Sequence, residues 1–173
     1  HVWTEGIDES EYDEALANGG YHYWSNEDET GNNALKAAVK AAGGTFDEDA
    51  QVVYLDATDV KSDIAFKKAN EDGIETLRLK FDMSGYKIKP ADGYGDATKL
   101  TNKDTVYLMH WVDARKEWVC ITADLVYEEG ILYAYADFNT ADGLSPVVFV
   151  ATRGVAGGND NNNGGTTDPG TNV

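Results

Sequence analysis

Apolar and polar residues alternate strictly along residues 76–83, TLRLKFDM, with Leu77, Leu79, Phe81 and Met83 on one parity and Thr76, Arg78, Lys80 and Asp82 on the other. A period of two marks a strand with one face buried and the other in water, so this stretch is predicted to be a half-buried antiparallel strand. Four further apolar runs follow at even intervals, TVYLMHW, EWVCITA, ILYAYADF and SPVVFVA, separated by the turn signals VDARK, YEEG and NTADG. Turn-bounded strands at that spacing predict a sandwich or a barrel. Upstream, QVVYLD and YHYW are also predicted strands. In the second of these, Tyr21 and Tyr23 would share one face and His22 and Trp24 the other.

The first third of the chain carries a different period. In GNNALKAAVKAAGG, Leu35, Ala38, Val39 and Ala42 fall at i, i+3, i+4 and i+7 and Gly43 stands where a helix ends, so a helix with a narrow, small-residue face is predicted. DESEYDEALANGG offers Ser10 as an N-cap with Asp13 three residues on, Tyr12 and Leu16 four apart, and a closing Gly pair; it predicts a short helix. KSDIAFKKANEDG predicts a third, from Ser62 to just before Gly73, anchored by Ile64 and Phe66. The expected architecture is mainly β: an Ig-like antiparallel β-sandwich with two or three short helices from the N-terminal half. One domain would cover residues 1–156, with 1–73 as an α+β part and 74–156 as the sandwich strands. Residues 157–173, GGNDNNNGGTTDPGTNV, contain a single apolar side chain, too little burial to offset ordering entropy, and predict a flexible linker.

Charge narrows the range of partners. The 31 acidic residues against 14 basic ones give a net charge of -17, which repels phosphate backbones and anionic lipid surfaces, so neither nucleic acid nor membrane insertion is expected. No stretch approaches the roughly 20 apolar residues of a membrane span. Cys120 is alone, so no intrachain disulfide can form, and exported domains without disulfides rely on core packing.

Several side chains invite a chemical reading. His1, as a free N-terminus, could offer its amine and ring to copper, with His22 or His110 as the second imidazole of a brace; the alternative function that follows is a copper-dependent polysaccharide oxygenase. The opening HVWTEG lacks the His-Gly start common in such oxygenases. His110 lies within an apolar run and reads as a core histidine. Asp56, Asp59, Asp63 and the NEDETG stretch could hold a calcium ion, though solvated turns account for them equally. Asn159, Asn161 and Asn163 alternate as in a calcium loop, but position 170 is Gly where the closing Glu belongs. No phosphate loop or GxSxG occurs, and Ser145 is followed by Pro146 at a strand start, so neither a catalytic residue nor a cofactor is expected. The aromatic residues carry more promise. Tyr133 and Tyr135 share one strand face, as Tyr21 and Tyr23 would, and flat rings on an open sheet are surfaces on which sugars stack. Tyr21, Tyr23, Trp24, Tyr133 and Tyr135 are therefore the candidate ligand-binding residues, set against a plain role in the core.

Over residues 74–152 the order of features resembles a C-terminal Ig-like β-sandwich module of cell-surface proteins from Firmicutes, including gut clostridia and ruminococci. In that family a strand ends in His and an aromatic, a strand with Trp follows, then a Gly-opened strand, then Ser-Pro and an apolar run. Here these are His110 and Trp111, Trp118, Gly130, and Ser145, Pro146, Phe149 and Val150. The turn VDARK departs from the Asp-Gly usual in the family, and residues 1–73 lie outside the resemblance. The resemblance implies an extracellular, cell-surface location, with tethering to the wall or membrane through residues beyond this chain. The expected function is a non-catalytic module for adhesion or for binding a polysaccharide or another host or cell-surface ligand. A structural spacer in a wall-anchored protein is the alternative.

Overall fold

The computed structural model describes residues 2–7, 19–62, 65–90, 94–144 and 146–154. In chain order these hold β1 (Val2–Gly6), α1 (Glu29–Ala41), β2 (Gln51–Ser62), α2 (Ala65–Glu71), β3 (Thr76–Asp82), β4 (Lys87–Ile88), β5 (Thr98–Lys99), β6 (Thr105–Val112), β7 (Glu117–Thr122), β8 (Asp124–Glu128), β9 (Ile131–Asn139) and β10 (Val147–Arg153). Among the described residues the fold is mainly β, with antiparallel sheets and two α-helices. One sheet runs β1-β2-β10-β6-β7, a second β3-β9-β8, and β4 pairs with β5.

The parity of β3 explains the stacking of the two larger sheets. Leu79 and Phe81 are buried and their polar neighbours exposed, as the alternation of TLRLKFDM requires. Across β9 the even positions Leu132, Ala134, Ala136 and Phe138 point the same way. They meet Val106, Leu108, Val147, Phe149 and Ala151 of the five-stranded sheet in one continuous core, where Phe81 stands edge-on to Phe149 at 5.3 Å. Sandwich-like layering thus follows from period-two patterning on both sides.

In β6 and β10 the apolar residues do not alternate, because the five-stranded sheet is covered on both faces. Its other parity, Tyr107, Met109, Trp111, Val148 and Val150, packs against Leu35 and Val39 of α1 and against Tyr21 and Trp24. The predicted helical stripe at Leu35, Ala38, Val39 and Ala42 is the face that α1 lays on the sheet. Strands buried on both sides read as unbroken hydrophobic runs, which is the form of TVYLMHWV and VVFVA. The register shifts between Phe149 and Val150, leaving Leu55 of β2 as a bulged residue without a partner in β10. Downstream of it the facing of β2 inverts: Val53 and Leu55 serve one core and Ala57 the other. Through β2, the N-terminal half contributes an interior strand to the larger sheet.

One predicted element changes identity and another starts later. YHYW is not a strand: Tyr21–Tyr23 forms a 3-10 turn entered through Gly20 at φ 69°. In such a turn residues three apart lie on one side, so Tyr21 and Trp24 both face inward, where a strand would have separated them. The helix expected from Ser62 begins at Ala65, because β2 continues to Ser62 to pair with β1. The expected helix over residues 8–18, Ile64 and the linker 157–173 lie outside the described residues.

Local geometry accounts for the hairpin that carries the outer strands. Glu128 pairs with Ile131, and Glu129 and Gly130 between them have φ 53° and 83°, the two left-handed residues of a tight hairpin turn. Gly31 is confined for another reason. It occupies the first turn of α1, where Asp28 caps its N–H, and a Cβ there would lie 2.7 Å from both the Tyr23 carbonyl oxygen and the Ser25 Cβ. Gly to Ala in a helix ordinarily gains about 1 kcal/mol. Here the overlap reverses the sign, and Gly31→Ala is expected to lose about 1–2 kcal/mol, seen as a lower melting temperature; a rise would contradict this packing.

Candidate functional site

The open face of the three-stranded sheet gathers a set of interacting polar and aromatic side chains. With the even positions of β9 buried, Tyr133, Tyr135 and Asp137 stand on its outward parity. Register sets their neighbours: Asp82 and Val126 flank Tyr133, Lys80 and Asp124 flank Tyr135, and Arg78 stands beside Asp137. The half-buried tyrosines form the floor of this face and the charged residues its surround.

The charges are paired across strands. Arg78 bridges two carboxylates, Asp137 through both oxygens at 3.1 Å and Asp124 on the far side of β9. Lys80 Nζ reaches Glu128 at 2.6 Å, and the Tyr135 hydroxyl donates to the same carboxylate. Hydrogen bonds from Lys80 and Tyr135 hold the Glu128 carboxyl below its ordinary range. The hydrogen bond to Glu128 in turn raises Lys80 and Tyr135 above theirs. Both cations also lie over aromatic rings, Lys80 at 4.1 Å from the Tyr133 centroid and the Arg78 guanidinium 5.4 Å from that of Tyr135, within the range of cation–π attraction. At the β8–β9 hairpin the face adds exposed Val126 and Ile131. An array of this kind, rings edged by carboxylates and amino groups, can stack on a flat apolar surface and hydrogen-bond at its rim.

The five aromatics named from sequence do not form one surface. Tyr133 and Tyr135 stand together on this face. Tyr21 and Trp24 instead belong to the interior on the far side of the larger sheet, 2% and 8% exposed. There Trp118 meets Tyr21 edge-on at 6.0 Å, Trp24 at 5.0 Å and Trp111 at 5.4 Å, and donates from Nε1 to the Gly19 carbonyl at 3.0 Å. Tyr23 is 71% exposed, its ring tilted against that of His22 with centroids 4.0 Å apart. Arg78, Lys80, Asp124, Glu128 and Asp137 are the members of the face that sequence reasoning missed. Arg78 and Lys80 were visible as the polar parity of β3, but only strand pairing places Asp124 and Glu128 opposite them.

The other candidates separate in the same way. His1 lies outside the described residues. His110 is 2% exposed, and its buried Nε2 has no hydrogen-bonding partner among the described residues, so it cannot serve as the second imidazole of a surface copper brace. Burial pushes its pKa down to about 4. Asp59 is buried and paired with Lys61 at 3.1 Å, and Asp56 accepts from the Tyr86 hydroxyl at 3.3 Å; Asp63 lies outside the described residues. No group of three or more His, Cys, Asp or Glu among the described residues is placed to hold a metal ion. Burial raises the Cys120 thiol to about 11, which removes its nucleophilicity at neutral pH.

An open cleft of about 380 Å³ separates the start of α1 from the start of β2. Three of its polar side chains are committed to the fold: Asp28 caps α1, Asn26 exchanges two hydrogen bonds with the Tyr54 backbone, and Asn32 donates to the Val52 carbonyl. No helix among the described residues is long and apolar enough to cross a membrane. No family model, curated protein or solved structure matches the chain.

Proposed function

We propose that this chain is a non-catalytic extracellular module that binds a polysaccharide on the open face of its three-stranded sheet, in an adhesive surface protein of a Gram-positive bacterium. The observation that carries this reading is the pair Tyr133 and Tyr135, side by side on the central strand and bordered by Arg78, Lys80, Asp124 and Glu128. Rings in that setting offer stacking surfaces to sugar C–H faces, and the carboxylates offer acceptors to sugar hydroxyls. The location rests on the resemblance of residues 74–152 to surface-protein modules and accords with a strongly acidic, disulfide-free chain. The Ig-like assignment belongs to the same proposal. It is supported by antiparallel sheets sharing one core, while the helical cover on the larger sheet adds a layer that a two-sheet Ig sandwich lacks.

Gel retardation in a panel of soluble polysaccharides tests the reading. Retardation of the wild-type chain is expected in at least one polymer, with loss on Tyr133→Ala and no change in far-ultraviolet circular dichroism. If no polymer retards the chain, or if Tyr133→Ala is retarded equally, the binding role fails and the spacer role takes its place.

A further inference from the structure

The charge arithmetic of the proposed face limits what can bind there. Arg78 and Lys80 are set among four carboxylates, Asp82, Asp124, Glu128 and Asp137, on the outward parity of β3, β9 and β8. Neither cation is free for a ligand: Arg78 is shared between Asp124 and Asp137, and Lys80 is held by Glu128 at 2.6 Å. A uronate or sulfate would have to pull these donors away while approaching two surplus negative charges on a chain of net charge -17. A neutral hydroxyl meets the opposite situation. It donates, and each carboxylate has lone pairs beyond those its cation uses.

The two rings also differ in how firmly they are covered. Arg78, over Tyr135, is pinned by two carboxylates in a fixed fork. Lys80, over Tyr133, is held by one carboxylate through a flexible four-carbon stem. An ammonium 4.1 Å from a ring centroid occupies the surface on which a sugar would stack. The Lys80 side chain can swing clear of it, whereas the Arg78 clamp would have to break.

We infer that this face selects neutral, hydroxyl-rich glycans over polyanionic ones, and that Lys80 is a displaceable cover on Tyr133, the ring that takes the sugar. The inference rests on the polysaccharide-binding reading above. It is tested by affinity electrophoresis of the full chain in soluble starch, hydroxyethylcellulose, galactomannan and polygalacturonate, comparing wild type, Lys80→Ala and Tyr133→Ala. Retardation in a neutral polymer but not in polygalacturonate is expected. Lys80→Ala should bind the neutral polymer roughly two- to fivefold more tightly, the cover having been removed, and Tyr133→Ala should lose binding. Retardation by polygalacturonate that Tyr133→Ala abolishes would overturn the selectivity and leave the binding face standing. Weaker neutral binding by Lys80→Ala would overturn the cover, making Lys80 a ligand contact. Binding indifferent to Tyr133→Ala, or no retardation in any polymer, would remove the binding face itself and the inference with it.

Discussion

Replacing Arg153 with Ala is expected to lower the unfolding free energy by about 3–4 kcal/mol, the scale of leaving one member of a buried ion pair without its partner. Arg153 is the last residue of β10. It grips Asp104 through Nε and Nη2, both at 2.8 Å, and donates to the Ile88 carbonyl at 3.0 Å, the Thr98 hydroxyl at 2.6 Å and the Lys99 carbonyl at 3.0 Å. One guanidinium thereby fastens the end of the final strand to both strands of the β4–β5 hairpin. That hairpin has two residues per strand, too few to hold itself in water. Asp104 is 5% exposed at its side chain and also accepts from the Thr101 N–H at 2.9 Å, so loss of Arg153 strands a buried carboxylate. Arg153→Lys should recover only part of the loss, because a single ammonium cannot reproduce a two-pronged grip on Asp104 while reaching three further acceptors. Denaturant unfolding gives the magnitude, and amide exchange over residues 86–100 should accelerate more than elsewhere. A loss below about 1 kcal/mol would mean that the grip is an ordinary surface pair.

The apolar run SPVVFVA was legible as the last strand, and β10 runs from Val147 to Arg153; the partners of Arg153 were not legible. A guanidinium that serves Ile88, Thr98, Lys99 and Asp104 draws on positions 49 to 65 residues away, and such distances leave no local trace. Legibility followed period. Leu77, Leu79, Phe81 and Met83 revealed the half-buried strand, and Leu35, Ala38, Val39 and Ala42 the helix face, because each element has one wet side. Where both sides are dry, as in β6 and β10, the run reads as a strand without revealing that α1 and the Tyr21–Trp24 segment cover the second face. YHYW misled because three aromatic residues in four favour a strand locally, while docking on Trp118 rewards a turn that sends Tyr21 and Trp24 to the same side. The same parity argument succeeded for Tyr133 and Tyr135 because β9 is regular. What it could not supply was the Arg78 and Lys80 pairing that decides how those rings can be used.

Acid should weaken the fold through His110 in particular. Its ring lies on β6, 5.7 Å from Phe138 and opposite Val147 and Val119 in the pairing, a site with little to solvate a charge. Desolvation is the main cause of its lowered pKa; Asp142 opposes the shift and Arg115 adds to it. In the native state His110 titrates at about 4, against an ordinary value of 6.5. Between those values the unfolded chain takes up a proton that the native chain refuses. Unfolding therefore becomes easier as pH falls from about 6.5, and the effect levels off below about 4. The full span corresponds to about 3 kcal/mol. The carboxylates held low by hydrogen bonds, among them Asp82, Asp113 and Glu128, and the relief of net negative charge also act in this region. They are common to wild type and a His110 variant and cancel in the difference. Unfolding free energies of wild type and His110→Gln, measured by urea at pH 7 and again near pH 4, isolate the histidine. The variant is expected to be less stable at neutral pH yet to lose about 3 kcal/mol less on acidification. Parallel pH profiles for the two proteins would show that the ring finds a proton-accepting environment in the fold and is not held neutral by burial.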